Sequence, residues 1–431
     1  AALVVGGGLA GMTCALSIAA QGHPVYLVEK EKELGGVARR LARTLEGLDV
    51  QSHLRDLIRR VYQNPLIQIS HEARILSVTG YVGNFITTIK SEGRVKVVEH
   101  GASVLAIGAQ EYQPQEYLYG ENDQVFTHLE LGEAIARGDE RVTQAASLVL
   151  IQCVGCRNEE RNYCSRVCCS HALKNALHLK ELNPEMAIYI IFRDMRSYGL
   201  REDFYREAAE RGVMFIRYEP GGEPLVEAVS EGGASRLRVT VPDPVLGKCL
   251  ELDVDVVSLA AAVLPAADTK EIAGLFKVTL SPDNFFKEAH VKLKPVEFAA
   301  DGVYLCGTAH YPKHFQETIN QAYGAAGRVL TLLANDTVTA SGSVCEVRED
   351  DCVSCGACIT ACTYDAITFV ETLKGRKARV NPVLCKGDGL CNAKCPTHAI
   401  VLKHFTDQEI ISQIDAAISR DEIMQQIAAA I

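Results

Sequence analysis

Seven cysteines in the last quarter of the chain stand at spacings that can hold iron. Cys352, Cys355, Cys358 and Cys362 read C-x₂-C-x₂-C-x₃-C, and a second run repeats the register as Cys385, Asp388, Cys391 and Cys395, with Pro396 after it. In such a repeat, three thiolates of one run surround one iron–sulfide cubane and the fourth crosses to the other. The spacing assigns Cys352, Cys355, Cys358 and Cys395 to a first cluster, and Cys362, Cys385 and Cys391 to a second. Asp388, or solvent, falls at the remaining iron of the second. Carboxylate suits that iron less well than thiolate does, so this [4Fe-4S] centre is expected to be isolable as a [3Fe-4S] form. Paired cysteines also build zinc sites, but the unbroken register and twofold repeat favour iron–sulfur.

A further group, Cys153, Cys156, Cys164, Cys168 and Cys169, crowds into one loop and the start of a helix. Packing alone does not place adjacent cysteines in so small a space, and five thiols exceed a four-coordinate need. One iron–sulfur cluster with a spare cysteine is the reading, with zinc or a redox dithiol as alternatives. Three clusters are therefore expected. Disulfides would need an oxidising compartment, and nothing here directs export, so a cytoplasmic location is expected. Cys14, Cys249 and Cys306 read as small apolar packing residues. So does Cys345, close to the C-terminal module but out of its register.

Glycines near the start point to a nucleotide. Gly6, Gly8 and Gly11 form G-x-G-x-x-G between the apolar strand Ala2–Gly6 and an apolar helix from Gly11 to Gln21. Glycine lets the backbone turn tightly and approach a pyrophosphate, whose charge meets the free N–H groups of the helix start. Glu29, ending the strand from Val25, stands where a carboxylate accepts from ribose hydroxyls. The bland alternative is a structural glycine turn.

The elements that carry these sites alternate strand and helix. Runs at Ile86–Lys90 and Val95–Glu99 resemble an antiparallel excursion. A second α/β unit follows, with a strand at Leu148–Gln152, a helix at Ser170–Leu182, a strand at Ala187–Phe192 and a closing strand at Leu250–Ala262. A strand at Gly302–Gly307 and a helix at Gln316–Leu333 come next, then a polar linker, Asn335–Ser343. Thr406 and Glu409 form a capping box, and Ile410, Ile414, Ile418, Ile423 and Ile427 mark an amphipathic helix or helix pair. The division expected is 1–140 and 271–340 for the two parts of a nucleotide-binding domain, 141–270 for a degenerate second one, 341–404 for a ferredoxin-like domain and 405–431 for a helical tail. A net charge of −10 offers no footprint for nucleic acid, and no apolar run is long enough for a membrane span. The chain does not begin with Met, which leaves room for missing upstream residues or a whole domain.

These pieces resemble a two-dinucleotide-domain, thioredoxin-reductase-like α/β flavoprotein joined to a bacterial-type 2[4Fe-4S] ferredoxin of α+β class. The pair Gly35-Gly36, the stretch Leu105-Ala-Ile-Gly108-Ala and the strand Val303-Tyr-Leu-Cys-Gly307 resemble the FAD-contacting segments of those flavoproteins, although Thr308 stands where many carry an acid. Where their second unit would continue into a nicotinamide-binding glycine motif, this chain has Cys153-Val-Gly-Cys-Arg157. Direct nicotinamide binding there is not expected. The stand-alone alternative, an NAD(P)H-dependent disulfide or ferredoxin reductase, would need that site.

The stretches Gln152–Arg157, Tyr163–Cys169, Phe192–Arg196, Glu288–Pro295 and Gly302–Gly307, with Pro312 and Lys313, resemble the flavin-carrying A-subunit of heterodisulfide reductase, in a short form without the N-terminal cluster domain of long members. The resemblance implies FAD, an inner cluster on Cys153, Cys164, Cys168 and Cys169 with Cys156 as a spectator, and a lysine by the flavin N5, Lys174. A cation there would favour the reduced, anionic ring; the bland alternative is a solvated helix lysine. It also implies an electron-transfer subunit of a multisubunit oxidoreductase complex, with flavin-based electron bifurcation in some members. Implied partners are other subunits of the complex, a ferredoxin or hydrogenase-type donor or acceptor, and a second copy of the chain. The family usually has cysteine at the position of Asp388.

Overall fold

Two sets of largely apolar strands build two parallel sheets, because helices or further strands cover both faces of each. In the computed structural model, which describes residues 1–231, 234–338 and 342–430, both sheets belong to one compact unit, Ala1–Ala334, and Asn335–Ile431 form a second. The first sheet begins with β1 (Ala2–Val5), α1 (Leu9–Ala19), β2 (Val25–Val28), β3 (Ile67–Ser70) and β4 (Ala102–Leu105). Between β3 and β4 the expected excursion is an antiparallel sheet of Ala73–Tyr81, Asn84–Ser91 and Arg94–His100.

The second sheet takes β5 (Val125–Thr127), β6 (Ser147–Val154), α2 (Cys168–Leu182), β7 (Ala187–Phe192), β8 (Met214–Arg217) and β9 (Val256–Ala261). Its parallel order is β8-β7-β6-β9-β5. The chain then returns to the first sheet with β10 (Val303–Leu305) and α3 (Phe315–Leu333), completing the order β10-β4-β1-β2-β3. Leu250–Ala262 is not one strand. Lys248–Val254 closes an antiparallel hairpin, and the chain changes sheet at Asp255, whose carboxylate accepts from the backbone N–H groups of Ala146 and Ser147 at 2.8 and 2.9 Å. Cys249 is exposed in that hairpin rather than packed.

The second unit is a twofold repeat. β11 (Cys345–Val347), α4 (Ala357–Ala361) and β12 (Ile367–Thr372) are followed by β13 (Gly375–Val380), α5 (Leu390–Ala393) and β14 (Ile400–Leu402), with β11 antiparallel to β14 and β12 to β13. The tail is a single helix, α6 (Asp407–Ala430), started by the capping box: Thr406 N–H donates to Glu409 at 3.0 Å and Glu409 N–H to Thr406 at 3.3 Å. Ile410, Ile414, Ile418 and Ile427 are exposed along it. The side chain of Ile423, and residues 339–341 of the expected linker, lie outside the described residues. Among the described residues no helix is long and apolar enough to cross a membrane.

Candidate flavin cleft and thiol clusters

Because β1 leads into α1 through Gly6 and Gly8, the start of α1 opens onto a cleft of about 1180 Å³. Gly6 has φ +107°, and a Cβ there would meet the Ala106 carbonyl oxygen at 2.2 Å. Gly8 faces open space, and a Cβ on Gly11 would lie 1.8 Å from the Gly6 oxygen. Gly11 thus sits behind the turn and sets how closely α1 packs on it. Gly6, Gly8, Glu29, Gly36, Gly108, Gly307 and Lys174 all line the cleft. Glu29 is buried and braces the turn, accepting from Gly7 N–H at 2.6 Å and Glu31 N–H at 2.8 Å. Each carboxylate oxygen keeps a second lone pair for a hydroxyl.

The far wall contains polar atoms without partners. Arg43 Nε, Ser170 Oγ, His171 Nε2, Arg201 Nε and His314 Nε2 are buried and unsatisfied, and all five residues line the cleft. Burying such groups unpaired is costly. A polar ring system seated here would satisfy several of them, and together with the glycine cradle they fit a flavin dinucleotide. Sequence reasoning missed these five. Two were within reach, because Val167, Ser170, His171 and Lys174 follow the i, i+3, i+4, i+7 spacing of one helix face.

Lys174 is buried, not solvated, and burial first, then the Arg43 charge, brings it down to about 7. Lys313 is a second buried cation on the same cleft. Its Nζ donates to the Gly307 carbonyl at 2.7 Å and sits 3.7 Å from the Tyr311 ring centroid, and burial likewise brings it to about 7.

The inner thiols meet at the start of α2. Cys153 shares a hydrogen bond with Cys156, Cys168 shares one with Cys169, and Cys168 feels the charges of Cys153 and Cys156. The Cys156 hydrogen bond, then the Arg157 charge, lowers Cys153 to about 6, while Cys156 is raised by the same bond. Cys156 lies in this group beside the expected ligands, and Cys164 accepts from Arg166 N–H at 3.3 Å and lines a surface hollow with Met195, Arg196 and Tyr198. Cys168 also lines the large cleft, so one thiol borders both sites. The turn after β6 is filled by the Tyr112 ring, which lies 2.3 Å from where a Cβ of Gly155 would stand and is covered by Arg161 at 4.7 Å.

In the second unit Cys352, Cys355, Cys358 and Cys395 line one small cavity with Phe369 and Ala378. Backbone N–H groups point at sulfur in both halves: Ala366 donates to Cys362 and Ala399 to Cys395, each at 3.3 Å. Cys391 feels the charges of Cys385 and Cys362. Asp388 is exposed, and its carboxylate accepts from Leu390 N–H at 3.1 Å. Cys345, expected to be a packing residue, is buried with its sulfur 3.4 Å from that of Cys391. Among the described residues no three ligand-type side chains converge tightly enough for a single ion; Cys352, Cys355, Cys358 and Cys395 instead surround a small cavity.

Comparison with known proteins agrees with this division of labour. Residues 1–151 match the pyridine nucleotide-disulphide oxidoreductase family, and residues 344–399 match the 4Fe-4S dicluster domain. In fold the chain is similar to thioredoxin reductases from T. acidophilum (TM-score 0.52, 13% identity, 78% of this chain and 98% of that one) and Lactococcus lactis (TM-score 0.52, 16% identity, 77% and 98%). In sequence it is 32% identical to the iron-sulfur A-subunit of the CoB--CoM heterodisulfide reductase of Methanocaldococcus jannaschii, over 98% of this chain and 78% of that one. It is 29% identical to the A-subunit of the H(2)/formate:CoB-CoM heterodisulfide,ferredoxin reductase of Methanococcus maripaludis, again over 98% and 78%. A nucleotide redox domain fused to a dicluster domain, similar along nearly its whole length to these proteins, makes this chain an oxidoreductase of the heterodisulfide reductase A-subunit family, a flavin and iron–sulfur protein.

Proposed function

We propose that the chain is the electron-transfer subunit of a larger complex, passing electrons between FAD in the cleft and three iron–sulfur clusters. The observation that carries this is the position of Cys168, which borders the flavin cleft and the inner thiol group at once. A flavin exchanges electrons in pairs or singly, whereas each cluster carries one at a time. The chain's own residues do the rest. The glycine turn and the start of α1 hold the pyrophosphate, Glu29 orients the ribose, and Lys174 places an adjustable proton beside the ring. Cys153, Cys164, Cys168 and Cys169 are the proposed inner ligands, with Cys156 as the spare thiol packed against Cys153. Cys352, Cys355, Cys358 and Cys395 hold one ferredoxin-type cluster, and Cys362, Cys385 and Cys391 supply three ligands of the other, whose fourth position the motif register gives to Asp388. The protein works in the reducing cytoplasm, where its free thiols survive, as a homodimer within its complex. The domain division remains 1–140 with 271–340, 141–270, 341–404 and 405–431.

Bifurcation belongs to this reading: the flavin is the one pair-carrying centre, so it is where electrons would divide between a ferredoxin or hydrogenase-type partner and a disulfide-reducing subunit. Tyr112 and Arg161 filling the turn after β6 support a donor other than a directly bound nicotinamide. The test is anaerobic preparation followed by flavin, iron and sulfide analysis, with about one FAD and about three clusters per chain expected. Rapid bleaching of the isolated protein by NADH or NADPH would refute the subunit reading.

A further inference from the structure

We infer that Cys345, rather than Asp388, supplies the fourth ligand of the second ferredoxin-type cluster. This rests on the reading above that the C-terminal module holds two clusters, and it concerns only which atom completes one of them.

The internal repeat locates the residue. Ala378 stands seven positions before Cys385, as Cys345 stands seven before Cys352. Ala378 lines the cavity shared by Cys352, Cys355, Cys358 and Cys395. The twofold relation therefore turns residue 345 toward the other site, and the contacts agree. The Cys345 sulfur lies 3.4 Å from the Cys391 sulfur, and its backbone N–H donates to the Cys385 sulfur at 3.4 Å. Cys391 in turn lies within electrostatic reach of Cys385 and Cys362. Four thiols thus face one space from three directions: β11, the loop and helix α5, and the end of α4.

The substitution pattern has the same logic. The half-site with its full set of in-register cysteines has alanine at the wall position. The half-site that lost a cysteine to Asp388 has gained one at the same wall position. Thiolate is the softer donor and the better match for cluster iron. The Asp388 carboxylate is exposed, and one of its oxygens accepts from Leu390 N–H at 3.1 Å. Two sulfurs 3.4 Å apart are too close to bind separate corners of a cubane. A single χ1 step at Cys345, from one staggered well to the next, moves its sulfur by roughly 3 Å and opens that spacing. On ligation the thiol proton leaves to solvent and the sulfur replaces water on the iron; no oxidation is involved.

The test uses the whole chain, purified without oxygen, with iron and sulfide analysis and electron paramagnetic resonance on oxidised samples. The unsubstituted protein and Asp388→Ala should show no three-iron signal. Cys345→Ala should show that signal, with loss of about one iron in four from this cluster. If Cys345→Ala does not fold, Cys345→Ser is read instead, and the same signal or an altered reduced spectrum is expected. A three-iron signal in the unsubstituted protein that persists unchanged in Cys345→Ala overturns the inference, as does its appearance in Asp388→Ala alone. A C-terminal module with no sulfide-bound iron at all would instead remove the two-cluster reading on which the inference stands, and that outcome is visible before any variant is made.

Discussion

Replacing Lys174 by methionine keeps the stem of the side chain and removes its charge, which makes the energetics of the flavin wall measurable. Burial and Arg43 bring Lys174 from 10.5 to about 7. Between those values the unfolded chain binds more protons than the folded one, so this residue makes stability rise with pH across that window. At about 1.4 kcal/mol per unit, the penalty is about 5 kcal/mol below pH 7, about 4 at pH 7 and close to 1 by pH 9.5. Lys174→Met should therefore stabilise the flavin-free first unit by several kcal/mol at pH 6.5, and the gap should close as pH rises. Urea unfolding followed by circular dichroism at pH 6.5, 8 and 9.5 reads this directly, as a shift in midpoint at constant slope. Flavin brings phosphate charge and hydrogen-bond acceptors into the same cleft and favours the protonated amine. FAD uptake at pH 8 should then take up protons in the parent but not in the variant, which calorimetry in buffers of different ionisation enthalpy distinguishes. Parallel stability curves for the two proteins, or a variant less stable at pH 6.5, would refute the idea that a buried, poised lysine lines the cleft.

Two further substitutions test the cradle and the inner thiols. Gly11→Ala puts a methyl group 1.8 Å from the Gly6 oxygen, so α1 must move off the turn; a loss of at least about 2 kcal/mol in stability and of most bound flavin is expected, and full flavin retention after purification would count against the glycine cradle. Cys164→Ser should remove the inner cluster and Cys156→Ser should leave it, as read from iron content and the visible spectrum. The reverse result would make Cys156, which lies beside Cys153, the ligand and Cys164 the spare thiol.

Much of the fold was legible because its signals are local. The strand–glycine–helix start, the antiparallel excursion and the capping box of α6 each depend on residues a few positions apart, and each forms where the spacing puts it. The break at Asp255 was not legible, since the alternating run Leu250–Asp255 passes without a glycine or proline into Val256–Ala262, which is apolar but for Ser258. Only the two backbone N–H groups that Asp255 accepts from, more than 100 positions away, show why the chain changes sheets there. The wall of the cleft was hidden for the same reason. Arg43, Arg201 and His314 come from three distant segments, and no pattern in any one of them points to the others.

Cysteine spacing has the same limit. A motif records ligands that follow one another along a loop, so Cys352 to Cys358 could be read as a set. A ligand entering from a neighbouring strand has no register to read, and Cys345 looked like a stray thiol for that reason. Its meaning comes from symmetry. The two halves of the module share one backbone plan, so a position that lines the first site in one half must line the second site in the other. Alanine at 378 and cysteine at 345 are then two answers to one question, asked where the neighbouring thiolate is present and where it has been lost.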